Sequence, residues 1–485
     1  MTFWGRRIHP VVLIAGLSAG ILIGCLVSYF FPSMWFTSWV WWLIWIFWLV
    51  VCFWKARRWL LVVMVVVGMM IGYSRGALEL SSWVDVSYYG DSEVILSGIV
   101  REDPETGHGG EQRLRLNSVK VNDKTQHGAY WVTVAGENAT TIERSDEVVV
   151  RGELQPGFGT FTASIFRAEI IELHKRVRFD PLLDVRNTFS EAIRSVMPDP
   201  QAALGIGYIL GQKRALPPDF EAALLTVGLT HVVVASGYNL TILVRLARRL
   251  FERISRYLSV LVSGSLVAGF IGVTGMSPSM SRAGLVAGLS LVAWYYGRTI
   301  HPGILLLVTA AISVLVNPSY IWGDVGWLLS FAAFAGVMFL APLLQVYFYG
   351  EAKPGVMRQI MGETFSAQLL TLPIILVSFG VFSNVAIIAN LLVLPLVPLA
   401  MLLTFVVGLV TIAIPALAGL VALPAYWLLS YMTWIIELLA ELPWASAEFE
   451  VDVVMALAMY SIIVLLIVIL KRATGFSFRR VNIVE

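Results

Sequence analysis

VGLTHVVVASGYNLTIL, residues 227–243, is an apolar stretch with polar residues set inside it. It places His231, Ser236, Gly237, Asn239 and Thr241 among valines, leucines and an isoleucine. In hydrocarbon such side chains are costly and face a bundle interior or a wet path. Small and hydroxyl residues also hold membrane helices together, so a tight helix–helix contact is the alternative reading. The stretch runs into Arg245, Arg248, Arg249, Arg253 and Arg256. Positive residues concentrate on the cytoplasmic side, so this end is expected inside. Read as one crossing helix, the stretch puts His231 and Asn239, eight residues apart, roughly on one face, in the outer half and middle of the membrane.

The composition around it agrees. Of 485 residues, 58% are hydrophobic and 14% charged, against about 25% charged in a soluble domain. The expected class is a polytopic α-helical membrane protein. A net charge of +2 points to no particular partner. Cys25 and Cys52 lie in apolar N-terminal runs and the six histidines are scattered. Neither a disulfide framework nor a metal site is expected, and no cofactor is.

Upstream, residues 10–31, 35–54 and 59–73 are apolar runs, near or just short of the ~20 residues a crossing needs. Arg6 and Arg7 precede the first, and Lys55, Arg57 and Arg58 separate the second from the third. That distribution puts the N-terminus in the cytoplasm and the segment after Tyr73 outside. Leu22-Ile23-Gly24-Cys25, following Arg6-Arg7, imitates a lipoprotein signal. The apolar run continues past Cys25, longer than a signal core, which argues against cleavage there.

From residue 81 the composition turns polar. Between 91 and 175, strand-like runs at 93–100, 112–121, 129–135, 147–154 and 160–173 alternate apolar and polar residues, with breakers between them. Five short strands in this space predict an extracellular all-β barrel of the OB type inserted between membrane helices. Such barrels often bind single-stranded nucleic acid through aromatic and basic residues. Arg113, Arg115, Lys120, Trp131 and Arg151 are the DNA-binding candidates, with Tyr130 beside them. Acidic residues outnumber basic ones across the segment, and a barrel can equally serve as a scaffold.

Residues 175–211 form a bridge. Leu182, Val185, Phe189, Ile193 and Val196 recur at helical spacing and predict an amphipathic helix at the membrane surface. Residues 216–227, opening with Pro217 and Pro218, predict a second helix, at the surface or half-inserted. Residues 205–213 imitate a phosphate loop, but the spacing to Lys213 and the Arg214 after it do not fit, so ATP hydrolysis is not expected.

Downstream, apolar runs at 257–275, 282–297, 302–316, 327–349, 362–380, 383–414, 420–442 and 453–470 bring the expectation to about twelve crossings of ~20 residues each. The run at 383–414 contains Pro395 and Pro398 and can be broken there. Acidic 441–452 is then outside, and Lys471, Arg472, Arg479 and Arg480 inside. More polar residues lie at or within these runs: Ser277, Ser279, Ser281, Arg282, Asp324, Ser366, Gln368 and Asn390. The chain divides into N-terminal membrane helices (1–80), a barrel (90–175), interfacial helices (176–227), a membrane domain (228–470) and a cytoplasmic tail (471–485).

Several of these stretches, in order, resemble the ComEC/Rec2 family of bacterial competence-type DNA uptake channels. GLTHVVVASGYN (228–239) is similar to the family's Gly-Leu-x-His…Ser-Gly-x-His/Asn segment, and GMSPSMSRA (275–283) to its Ser-x-x-Arg-Ala turn. Asn317-Pro318, with Asp324-Val325-Gly326-Trp327-Leu328-Leu329-Ser330-Phe331, resembles its Asn-Pro…Asp-x-Gly-Phe-Gln-Leu-Ser-Phe stretch. Gln368…Leu372-Pro373 and Phe379…Ser383…Asn390-Leu391…Pro395 complete the set. Asn239 stands where many members have a second His, and Leu328 where they have Gln. Many members continue into a metallo-β-lactamase-like domain. No His-x-His-x-Asp-His motif occurs in this sequence, so a separate nuclease is expected if that step is needed.

The resemblance implies a non-enzymatic membrane channel that passes single-stranded DNA into the cytoplasm during natural transformation. The expected channel-lining residues are His231, Ser236, Gly237, Asn239, Arg282, Asp324, Gln368 and Asn390. The implied partners are single-stranded DNA, a cytoplasmic motor ATPase or helicase, DNA receptor proteins of the uptake machinery and the lipid bilayer. The alternative is a small-molecule or lipid transporter whose barrel is a scaffold. A membrane hydrolase using His231 and Ser236 fits poorly: five residues apart on a helix they do not align, and no carboxylate is placed by sequence to orient the histidine.

Overall fold

The computed structural model describes residues 9–31, 44–45, 48, 59–83, 93–107, 111–135, 142–175, 179–212, 216–233, 237–275, 278–298, 301–350 and 355–476. The chain forms two compact units, one of residues 1–179 with 300–328 and one of 180–299 with 329–485. Among the described residues, eight helices are long and apolar enough to cross a membrane. Most of the second expected crossing (35–54) lies outside the described residues.

The first unit pairs helices Pro10–Phe30 and Leu60–Ser81. Gly16, Gly20 and Gly24 on one recur every four residues, as do Gly68, Gly72 and Gly76 on the other. A side chain at Gly20 would meet the Val65 backbone, and at Gly72 the Ile21 backbone. Backbones approach this closely only where small residues line the seam. Helix Pro302–Val316 packs on the first of the pair. Its terminal carbonyls, which a helix leaves unpaired, accept from Arg75: Nε to Leu315 at 3.0 Å and a terminal nitrogen to Val316 at 3.1 Å.

The barrel belongs to this unit. Its main strands are β1 (Glu93–Val100), β2 (Gln112–Val121), β3 (Tyr130–Val134), β4 (Glu147–Glu153) and β5 (Ala163–His174). They run β1-β4-β5-β3-β2 and close back onto β1, with β3 and β5 parallel and the other pairs antiparallel. Alternation sends Leu96, Leu114, Leu116, Val132, Val148 and Ile165 into one closed core. Register shifts between Ser97 and Ile99, and between Val149 and Val150, bend the strands as closure requires. In the loop before β5, Gly159 (φ +59°) lies against the backbone of Gly323 in the short helix Ser319–Gly323. The barrel is thus tied by backbone contact to the helical part of its own unit.

The second unit holds the largest core. Helix Pro181–Arg194, capped by Asp180, packs on helix Val397–Ala413, with Phe189 seated at Gly408. Its buried side chains are Leu183, Arg186, Phe189, Ser190 and Ile193. The apolar face read from sequence is therefore displaced: Val185 is 61% exposed, while Arg186 is buried. The stripe that buries follows the groove offered by the partner helix, which the spacing of apolar residues alone does not reveal. Helix Gln201–Leu210 is buried nearly all round, and Pro218–Thr226 follows as a short helix. Helices Gly237–Phe251, Arg256–Val273 and Pro278–Tyr295 share a smaller cluster built on Leu240, Val267, Phe270 and Met280. The run at 383–414 forms one helical span, Ala386–Ala413, which tightens at its prolines into a 3-10 turn at Leu394–Leu396 between Ala386–Val393 and Val397–Ala413.

The stretch 227–243 is not one crossing helix. It supplies the short helix Thr230–Val233 and the start of Gly237–Phe251, whose 15 residues fall short of a full crossing by themselves. Gly228 precedes them in a left-handed conformation, φ +73°. His231 and Asn239 therefore sit on different elements and share no helical face. Ser236 lies outside the described residues.

Candidate functional site

In the second unit residues 227–243 contribute to a junction. Asn239 is fully buried. Its Nδ2 donates to the carbonyl of Tyr208 at 3.1 Å and to that of Val232 at 3.4 Å. Both carbonyls lie near the C-terminal ends of helices, where acceptors lack intrahelical partners. Gly207 permits the approach: a Cβ there would stand 2.8 Å from Val233 Cγ1. Asn239 thus clasps three helical pieces together, so its amide has a structural task.

His231 Nδ1 lies 2.9 Å from the Gly228 carbonyl. A carbonyl only accepts, so Nδ1 carries the proton and a neutral ring presents Nε2 as an acceptor. The His231 side chain is exposed on the described protein surface. Gly228 itself abuts Ser383 and Ala386, with a Cβ at Gly228 standing 3.1 Å from Ala386 Cβ and 3.3 Å from Ser383 Cβ. Ser383 is held by a two-stranded pairing of Val381–Ser383 with Ser446–Glu448. One turn beyond Ala386, Asn390 is 3% exposed. Thr230 Oγ1, Ser383 Oγ and Asn390 Oδ1 are buried and meet no hydrogen-bond partner among the described residues. Buried polar atoms in folded proteins are nearly always paired, so each such atom calls for an explanation.

Gly237 opens its helix against Ala283, with a Cβ at Gly237 standing 3.2 Å from Ala283 Cβ. Arg282, the neighbour of Ala283, is 5% exposed. A buried guanidinium in an apolar helical unit is costly unless hydrogen-bonded and paired. The fold therefore brings the Gly228–Asn239 stretch against both the Arg282 helix and the Ser383–Asn390 segment. Gln368 is half-buried on helix Val356–Phe379, which packs on the helix of Asn390. Asp324 belongs to the first unit, where its Oδ1 accepts from the Trp327 amide at 2.8 Å and caps the helix that follows. Thr230 and Ser383 were not singled out by sequence reasoning. Ser383 does fall inside a resembling stretch, and that was the available signal.

On the barrel, the five basic and aromatic candidates divide. Arg115 and Trp131 are direct cross-strand partners on β2 and β3, and Arg113 follows on the same outward side. Arg115 lies over the Phe161 ring at 5.2 Å and pairs with Glu102 at 3.4 Å. Trp131 meets Phe161 and Phe158 edge-on at 5.0 and 5.7 Å, and Phe158 stacks with Phe166 at 6.3 Å. Phe158 and Phe166 are nearly half exposed. Lys120 and Arg151 lie elsewhere, on strands that flank β1: Lys120 is opposite Ser97, and Arg151 is opposite Ile95 on one side and Glu169 on the other. Lys120 there shares a concavity with Asp123, Glu147 and His174. Sequence reasoning missed the three phenylalanines because Phe158 fell in the break at 155–159, and Phe161 and Phe166 were read only as part of the strand-like run at 160–173; the aromatics of Phe158-Gly159-Thr160-Phe161 were the signal. Among the described residues no group of three or more His, Cys, Asp or Glu side chains could hold a metal ion.

Comparison with known proteins bears on the helical part. A family model described as Competence protein matches residues 208–473. That range contains every candidate of the helical junction and excludes the barrel. ComE operon protein 3 of Bacillus subtilis (strain 168) is 22% identical over 263 residues, covering 54% of this chain and 33% of that protein. The match thus spans a third of the relative's length. No solved structure matches.

Proposed function

The chain belongs to the competence protein family, and on that premise we propose that it conducts single-stranded DNA across the cytoplasmic membrane during natural transformation. The observation that carries this reading is a group of buried polar atoms that meet no hydrogen-bond partner among the described residues, Thr230 Oγ1, Ser383 Oγ and Asn390 Oδ1, in a unit of apolar helices that also buries Arg282. Hydroxyls, amides and arginine suit the phosphates and sugars of a passing strand. Conduction needs contacts weak and repeated enough to let each phosphate leave.

In this reading the barrel is of the OB type and stands outside the cell. Its closed order with parallel β3 and β5 supports the type. The face of Arg113, Arg115, Trp131, Phe158, Phe161 and Phe166 receives the strand by phosphate contact and base stacking. Both termini then lie in the cytoplasm, in keeping with Arg6 and Arg7 before the first apolar run and Lys471 and Arg472 after the last. The chain is a conduit and not a catalyst. A cytoplasmic motor ATPase or helicase supplies the pull, receptor proteins deliver DNA, and a separate nuclease removes the other strand.

The test is entry of labelled DNA into the cytoplasm of cells carrying His231→Ala or Arg282→Ala at unchanged membrane levels. Loss of uptake in both supports the route. Normal uptake in both takes these residues out of it. Transport of small solutes retained by a chain without the barrel would favour the transporter alternative.

A further inference from the structure

The helix Gly237–Phe251 has two unlike faces. One buries Leu240 and Ala247, with Leu243 and Val244 against the neighbouring helices. The other carries Arg245 and Arg249, one turn apart, and Arg253 follows one turn later just past the helix end. All three arginines are exposed. They share an open face with Ile242, Leu246 and Glu252. Arg248 also borders it, but its guanidinium is drawn over the Trp294 ring at 5.1 Å.

Arg245, Arg249 and Arg253 form no ion pair or hydrogen bond among the described residues. Like charges one turn apart repel, and Glu252 is the single carboxylate among the described lining residues. The row is complementary to an anion bearing more than one oxygen, which arginine's fork of donors binds well. The wall between the charges is apolar, and Leu246 is 46% exposed. A free inorganic anion gains nothing from that wall. A nucleic-acid strand could meet the arginines through its phosphates, but it brings no hydrocarbon to the exposed Leu246, and no aromatic residue on which a base could stack is among the described lining residues. A molecule with a phosphate head and hydrocarbon tails uses both features.

We propose that the Arg245–Arg249–Arg253 face binds an anionic phospholipid, with its phosphate on the guanidinium groups and an acyl chain along Ile242 and Leu246. This site is independent of the conduction reading.

The test uses the full chain, purified in a neutral detergent, with phosphatidylglycerol as probe and binding followed by native mass spectrometry. Phosphatidylglycerol should bind at least tenfold more tightly than phosphatidylcholine. The triple variant R245Q/R249Q/R253Q should lose that preference, and the charge-retaining R245K/R249K/R253K should recover part of it, which separates loss of the site from loss of folding. K471Q/R472Q, at the end of helix Val453–Thr474, should behave as wild type. Equal binding of the two lipids, or equal phosphatidylglycerol affinity in wild type and the glutamine triple, overturns the proposal. So does an oligothymidylate or inorganic phosphate that binds the arginine face while phosphatidylglycerol fails to compete.

Discussion

Asn239 donates its side-chain amide to the carbonyl of Tyr208, a residue 31 positions earlier, at 3.1 Å in a fully buried setting. The same nitrogen reaches Val232. A polar residue that looks like channel lining in sequence is therefore also a clasp between helices. Leaving buried acceptors without a donor costs about 1–3 kcal/mol. Asn239→Leu should lower the thermal unfolding midpoint of the purified chain by that much destabilisation. Asn239→Asp should do at least as much harm, because a carboxylate would face two carbonyls. Unchanged midpoints in both variants would show that the amide is not structural.

Gly228 sets the turn that delivers His231. Its φ of +73° costs an L-residue about 1–2 kcal/mol, and an added methyl would also crowd Ala386 and Ser383. Gly228→Ala should destabilise the chain, and it should reduce DNA uptake even in the fraction that reaches the membrane, since the Gly228 carbonyl orients the His231 ring. Full uptake per molecule would separate His231 orientation from function.

The two faces of the barrel should differ in single-stranded DNA binding. Base–aromatic stacking contributes about 1–3 kcal/mol per base. Phe158→Ala with Phe166→Ala should weaken binding of fluorescent oligothymidylate to the full chain by roughly tenfold or more. Lys120→Ala should change it little, and affinity should fall steeply with salt. Equal losses from both faces would disprove the assignment.

The glycine seam of the first unit should not tolerate branching. A side chain at Gly24 would meet the Met69 backbone, and one at Gly72 that of Ile21. Gly24→Val or Gly72→Val should force the helices apart and lower the yield of folded protein. Val12→Ala, at an exposed position of the same helix, should leave yield unchanged. Normal yield from the valine variants would mean that the helices do not meet at this seam.

Much of the architecture was legible because it follows local patterns. Alternation between 93 and 173 located the five main strands to within a few residues, since period-two burial is written in the strand itself. Pro217 and Pro218 marked a helix start, and the helix runs Pro218–Thr226. Reading 227–243 as one helix failed because apolar content does not distinguish a crossing helix from buried short pieces. The turn at Gly228 precedes the pieces, and Asn239 ties them to Tyr208, 31 positions away in the chain.

The sequence by itself determined that the chain is dominated by apolar helices, that a β barrel interrupts them, and that polar residues are set into apolar runs. Composition and periodicity act over one or two turns and need no partner to be read. Only the tertiary structure decided that Asn239 ties helix ends together, that Gly228 meets Ser383 and Gly237 meets Ala283, and that Arg115 and Trp131 share a face from which Lys120 is excluded. Those outcomes depend on which helices and strands approach closely, and close approach is set by mutual packing between segments distant in the chain, which no local pattern encodes.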